Sequence, residues 1–150
     1  LARGGEVDHS LLKKLNNLPF FIQDPPKSLG REFFEAYQND LLKDLSIPDM
    51  MATFVEHIAL QIALPISLLP KGKILCTGGG ARNKYLIERL QARTKHEVIV
   101  PDSMTIDYKE ALVFAFLGLL RIEGKTNALS SVTGAQSDSC SGRIWLVPEL

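Results

Sequence analysis

One hundred and fifty residues, 45% hydrophobic and 23% charged, suit a single domain with a core of its own. Seventeen Lys and Arg balance seventeen Asp and Glu, so the net charge is zero and no basic stripe argues for nucleic acid. Two distant cysteines and three scattered histidines make neither a redox pair nor a metal-ligand spacing, a usage that fits the cytosol, and no apolar run reaches the roughly 18 residues a membrane span needs.

The chain opens on Leu1-Ala2-Arg3-Gly4-Gly5 without a Met, which reads as the interior of a longer protein. Val7 to Asn17 is expected to be a helix, with Leu11, Leu12 and Leu15 on one stripe, Asp8 or Ser10 as its cap and Pro19 as its end. Phe20 to Pro26 reads as extended, stiffened by Pro25-Pro26. Ser28 is placed to cap a helix burying Phe33, Phe34, Tyr37 and Leu41. Lys27 and Arg31, four apart across that start, either hold an anion or form surface ion pairs of little energetic weight.

Ser46-Ile47-Pro48-Asp49 carries a cap, an early proline and a first-turn acid. Met51, Phe54, Val55, Ile58 and Ile62 follow at helical spacing and predict the buried face, with Pro65 kinking or ending the helix. Lys73 to Thr77 reads as a strand in which Cys76 is a small buried hydrophobe. Gly78-Gly79-Gly80 then turn into a helix that runs to about Thr94 and buries Leu86, Ile87 and Leu90. Val98 to Val100 is a second strand, stopped by Pro101. From Asp107 to about Ile122 runs the most hydrophobic helix, expected to be buried and to end at Gly124. Ser130-Ser131 and Thr133-Gly134 read as a polar turn, and Arg143 to Val147 as a last strand.

The glycine turn is the strongest chemical signal. Bare backbone lets a flat or anionic ligand approach closely, and the following helix aims its unpaired N–H groups and positive dipole end at the same place. The segment lacks the third spaced glycine of a dinucleotide fingerprint and the Gly-Lys-Ser/Thr of a P-loop, and a tight turn without a ligand stays open as the alternative. Asn83 in the first turn beyond either caps the helix or touches a nucleotide. Glu110 stands at capping-box spacing from Asp107, so it either ties off a helix start or offers a carboxylate to ligand hydroxyls. No Ser/His/Asp or Cys/His signature is present. The strand-helix-strand-helix order predicts an α/β class, helix-rich, with a partial parallel sheet completed by residues outside the chain.

Four segments in order, Pro25-Pro26-Lys27-Ser28-Leu29-Gly30-Arg31-Glu32-Phe33-Phe34, Gly78 to Asn83, Asp107 to Ala111 with Phe114-Ala115, and Ser131-Val132-Thr133-Gly134-Ala135, resemble the carboxy-terminal part of anhydro-N-acetylmuramic acid kinases. The resemblance implies a two-domain, ribonuclease H-like ATPase fold of the actin, hexokinase and heat-shock-chaperone type, with sugar and nucleotide in the cleft. It implies an ATP- and Mg²⁺-dependent cytoplasmic enzyme of peptidoglycan recycling that opens 1,6-anhydro-N-acetylmuramic acid and phosphorylates O6. Residues 1–150 are then one carboxy-terminal fragment, 1–46 a helical lead-in and 47–150 the nucleotide-side α/β part. Gly78, Gly79, Gly80 and Asn83 match the family's ATP-binding segment, Glu110 its sugar-contacting glutamate, and Lys27 and Arg31 are cleft candidates. The expected partners are a small amino sugar, the absent amino-terminal half and, in a homodimer, a second copy. The water-activating aspartate and the phosphate-gripping hairpin of that family are expected before Leu1, so the fragment alone is expected to be inactive. A non-catalytic nucleotide-binding module of the same superfamily, or a kinase for another sugar, is the alternative.

Overall fold

The computed structural model describes residues 1–24, 27–33, 35–36 and 45–145, which fall into two units, Leu1–Ile106 and Asp107–Leu150. In the first unit, a 3₁₀ turn (Ala2–Gly4) precedes α1 (His9–Asn16), α2 (Pro19–Ile22), α3 (Ile47–Ile66), β1 (Lys73–Leu75), a second 3₁₀ turn (Gly79–Arg82), α4 (Lys84–Arg93) and β2 (Glu97–Ile99). Helix α5 (Ser103–Ile122) begins in this unit and continues into the second, where α6 (Ser130–Thr133) follows. The strands pair in parallel, Lys73 opposite Glu97 and Leu75 opposite Ile99, joined by the α4 crossover as the alternation predicts.

The caps are largely those the sequence offers. Asp8 accepts from the Leu11 N–H at 2.6 Å, and Ser46 from the Asp49 N–H at 3.3 Å. Pro19 is a start as well as a stop: it opens the single turn α2, correcting the extended reading of Phe20 to Pro26 over its first residues. Proline at N1 gives up no hydrogen bond, and the turn gathers Phe20, Phe21 and Phe33 edge to face, with Phe21 also against His57. Residues 31–33 are helical, and the Phe33 N–H donates to Gly30 rather than to Ser28. Pro25, Pro26, Phe34, Tyr37 and Leu41 lie outside the described residues.

Helix α3 buries Val55 as predicted, but otherwise a different face. Ala52, Val55, Ala59 and Ala63 are inside, whereas Met51, Ile58 and Ile62 are partly exposed, Ile58 at 41%. Close packing decides this. Alanines let α4 approach until Leu90 seats against Ala59 and Ala63, with Cys76, Leu86 and Val98 around them. At the other end the amino-terminal segment lies against the start of α3. The Glu6 and Asp8 N–H groups donate to Asp49 and Thr53, and a Cβ on Gly5 would collide with the Pro48 backbone.

Polar side chains supply the remaining joints. Glu56 on α3, only 2% exposed, is held by Arg89 at 2.6 Å and by Arg93, both on α4. His96, buried before β2, accepts from the Gly72 N–H at Nδ1 and donates from Nε2 to the Ile66 carbonyl. It thereby joins the end of α3 to the approach to β1. His57 and Gln61 both donate to the Asn16 side-chain oxygen, fixing α1 on α3.

Helix α5 starts one turn earlier than predicted. Asp102 accepts from the Thr105 N–H at 3.0 Å, so Asp107 is inside the helix and Glu110 is not a capping-box partner. The expected burial of α5 is also corrected, since none of its residues is buried. The second unit's described residues add only α6 and a strap around Ala128 and Ser139, too little to cover twenty residues. Residues 143–145 form no strand; Leu146 and Val147 lie outside the described residues.

Candidate functional site

The glycine turn sits at the carboxyl end of β1, where strand register ends with the Cys76 N–H donating to Ile99. In parallel α/β layers this end of the strands is where ligands bind. Gly78 has φ +81° and ψ 176°, a conformation side chains resist. Ala81 and Asn83 then donate back to Gly78 and Gly80, closing the 3₁₀ turn over a buried Ala81. Gly79 and Gly80 need neither positive φ nor intramolecular room, for among the described residues nothing lies within 4 Å of where their Cβ atoms would be. The turn is open on its outer side.

Asn83 performs the capping role: its side chain accepts from the Leu86 N–H at 3.2 Å and so fixes the direction of α4. Beside the turn lies a cleft of about 620 Å³. Its near wall is Ala81 and Arg82, its flank Lys84, Ile87 and Glu88 of α4, and its far wall Val100 and Pro101 after β2 with Ser103 and Ile106. The Arg3 guanidinium donates to Glu88 at 2.8 Å and lies over the Tyr85 ring. That hydrogen bond and charge hold the Glu88 carboxyl below the usual range.

Glu110 belongs to the second unit and is exposed, with its side chain free of the cap. Phe114, Leu117 and Arg121 follow it at i+4, i+7 and i+11 on one face, and these three line a second cleft of about 520 Å³. Asn127 builds that cleft's other side. It donates to the Leu117 and Ser141 carbonyls and accepts from the Ser141 N–H, while Arg121 donates to Gly142. Sequence reading passed Asn127 over, because no local spacing marks a residue whose partners lie 10 and 14 positions away.

Lys27 and Arg31 line neither of these clefts. Lys27 donates to the Phe20 and Gln23 carbonyls, finishing the α2 turn, with its ammonium over the Phe20 ring. Arg31 pairs with Glu35 at 2.6 Å on an exposed surface. Among the described residues, no cluster of three or more His, Cys, Asp or Glu could hold a metal ion, and no helix is long and apolar enough to cross a membrane.

The family model for anhydro-N-acetylmuramic acid kinase matches residues 1–147. Curated proteins of that name are similar to the chain. The one from Mannheimia succiniciproducens is 39% identical, covering 96% of this chain and 43% of the relative. That from Sulfurimonas denitrificans is 33% identical with the same coverage, and that from Hahella chejuensis is 34% identical, covering 97% and 41%. The chain therefore spans less than half the length of these curated relatives.

Proposed function

The chain belongs to the anhydro-N-acetylmuramic acid kinase family, and on that premise we propose that it forms the carboxy-terminal, nucleotide-side part of an ATP-dependent sugar kinase. The reaction is opening of the 1,6-anhydro ring of anhydro-N-acetylmuramic acid with phosphorylation at O6. The observation that carries the reading is the open turn of Gly79 and Gly80. Two glycines with no conformational or packing need among the described residues stand at the carboxyl ends of parallel strands, beside a cleft. A backbone surface of that kind suits a ligand that must come closer than a Cβ allows.

ATP supplies the phosphoryl group when bound. On this reading the adenosine side of ATP rests on the Gly78–Gly80 backbone, with the start of α4 turning its N–H groups and positive dipole end toward the same place. Asn83 aims that helix start, a positioning role that a ligand contact from its other amide atom would not disturb. The described residues offer no cluster of carboxylates or histidines that fits a protein-held Mg²⁺. Glu110, not tied to the helix start, is on this reading the acceptor for sugar hydroxyls.

Phosphoryl transfer depends on positioning and charge neutralisation by groups gathered around the phosphates. A chain with the turn but without the remaining part of such an enzyme is expected to transfer nothing by itself. The test is to incubate full-length protein with ATP and anhydro-N-acetylmuramic acid and look for N-acetylmuramic acid 6-phosphate. Product formation that survives Gly79→Asp with unchanged ATP affinity would remove the turn from the mechanism. ATP binding without product would favour a non-catalytic nucleotide module.

A further inference from the structure

Helix α5 has two apolar sides. Phe114, Leu117 and Gly118 form one with Arg121, and they line the cleft whose other wall includes Asn127 and Ser141. Tyr108, Leu112, Phe116 and Leu119 form the other, at i, i+4, i+8 and i+11. That spacing keeps the four within about a quarter of the helix circumference, in a stripe about 16 Å long. They are 64%, 71%, 57% and 51% exposed and line neither of the clefts described above.

A surface helix keeps one side polar, whereas a helix apolar all round is an interior one. Among the described residues of this unit, only the first side has a cover. A contiguous stripe of large side chains left in water marks an interaction surface. Residues 111–120 include no charged side chain, so the stripe suits an apolar occupant and offers nothing to pair with a charged one. This chain covers only 41–43% of its curated relatives, so such proteins carry a long further stretch of polypeptide. Polypeptide joined to α5 meets the stripe at an effective concentration that a second copy in solution does not reach.

We propose that Tyr108, Leu112, Phe116 and Leu119 are the surface on which the amino-terminal part of the full-length protein docks. The proposal rests on the reading of this chain as a carboxy-terminal part. Glu110 lies on the opposite side of α5, with Phe114 and Leu117. Docking therefore covers the back of the helix and leaves the Glu110 side open.

The experiment is hydroxyl-radical footprinting of wild-type full-length protein, read by the mass of the peptides carrying Tyr108, Leu112 and Phe116. Native protein should be oxidised at these residues about 10-fold or more slowly than urea-unfolded protein. The protection should persist through about a 100-fold dilution, because an intrachain contact does not depend on concentration. Leu112→Cys gives a second reading through thiol alkylation, with the same expected protection. Carbodiimide labelling of Glu110 should be as fast in native protein as in unfolded protein.

Native oxidation at the unfolded rate overturns the proposal, and protection lost on dilution does so by assigning the stripe to a second copy. Protection of Glu110 together with the stripe overturns the two-sided account. If the stripe is unprotected while ATP and the anhydro sugar still give product, the proposal fails and the kinase reading stands. A protected stripe in a protein that gives no product supports the docking surface and removes the kinase reading.

Discussion

Glu56 offers the sharpest test of how the first unit is held. Its carboxylate is 2% exposed and faces Arg89 at 2.6 Å, with Arg93 at the other oxygen. Breaking a fully buried pair costs about 3–5 kcal/mol. Here the arginine side chains are 35% and 42% exposed and regain water when released, which discounts the loss. Glu56→Ala in the full-length protein is therefore expected to lose about 2–3 kcal/mol of stability, and Glu56→Gln, which keeps shape and one acceptor, about 1–2 kcal/mol. Burial pushes the Glu56 carboxyl up, but the two arginines outweigh it and the net shift is downward. A depressed carboxyl stabilises the fold above its unfolded value, near 4.5, and that contribution disappears as pH falls through the lower folded value. Urea unfolding should thus show the Glu56→Gln penalty in full at pH 7 and a smaller one at pH 3. A double-mutant cycle with Arg89→Ala should give a coupling of at least about 1 kcal/mol. Additive single losses, or a penalty that does not change with pH, would refute the clamp.

Four further outcomes are expected. Gly78→Ala, forced to φ +81°, should cost about 1–3 kcal/mol in urea unfolding, whereas Gly79→Ala, with open space at its Cβ, should leave stability unchanged and weaken ATP binding. Leu90→Ala should destabilise by about 2–5 kcal/mol in the same assay, since Leu90 fills the alanine-lined centre between α3 and α4. Burial holds His57 below its ordinary 6.5, so the unfolded chain takes up its proton first and stability declines as pH falls below that value; denaturation from pH 7 to 5 should show a shallower decline in His57→Gln. Glu110→Gln should raise the Michaelis constant for the sugar more than that for ATP in steady-state kinetics, and the reverse order would remove Glu110 from sugar binding.

Much of the local structure was legible because it is fixed by neighbours in sequence. The caps at Asp8 and Ser46, a polar turn ending at Gly134 (a single helical turn in the structure), both strands and the glycine turn follow from residue type and short spacing. The start of α5 was misplaced at Asp107, because Asp102, an earlier acid ahead of the same apolar run, is the cap that the helix uses. Helix growth is cooperative, so the earlier cap, available just after Pro101, takes the helix start.

The burial pattern was legible only in part: Leu11, Leu15, Val55 and Leu90 are buried as their spacing predicts, but Met51, Ile58 and Ile62 are not. A spacing rule assigns the large side chains of α3 to the interior, but the distance between helices favours Ala59 and Ala63 there. Nor does any motif show that Glu56 meets arginines 33 and 37 positions away, or that His96 bridges Ile66 and Gly72. The candidate site divides in the same way. Gly78–Gly80 and Asn83 were readable as a turn and a cap, whereas the cleft, and Glu88 and Arg3 with it, exists only once α4 and the segment after β2 are side by side.

By itself, the sequence determined most caps, both strands and where the chain has no side chains to keep a ligand away, since these depend on a few consecutive residues. Tertiary structure decided which of the apolar faces are buried in full, which distant charges meet and which side chains line a cleft. Those outcomes depend on the distances between elements, and packing sets those distances.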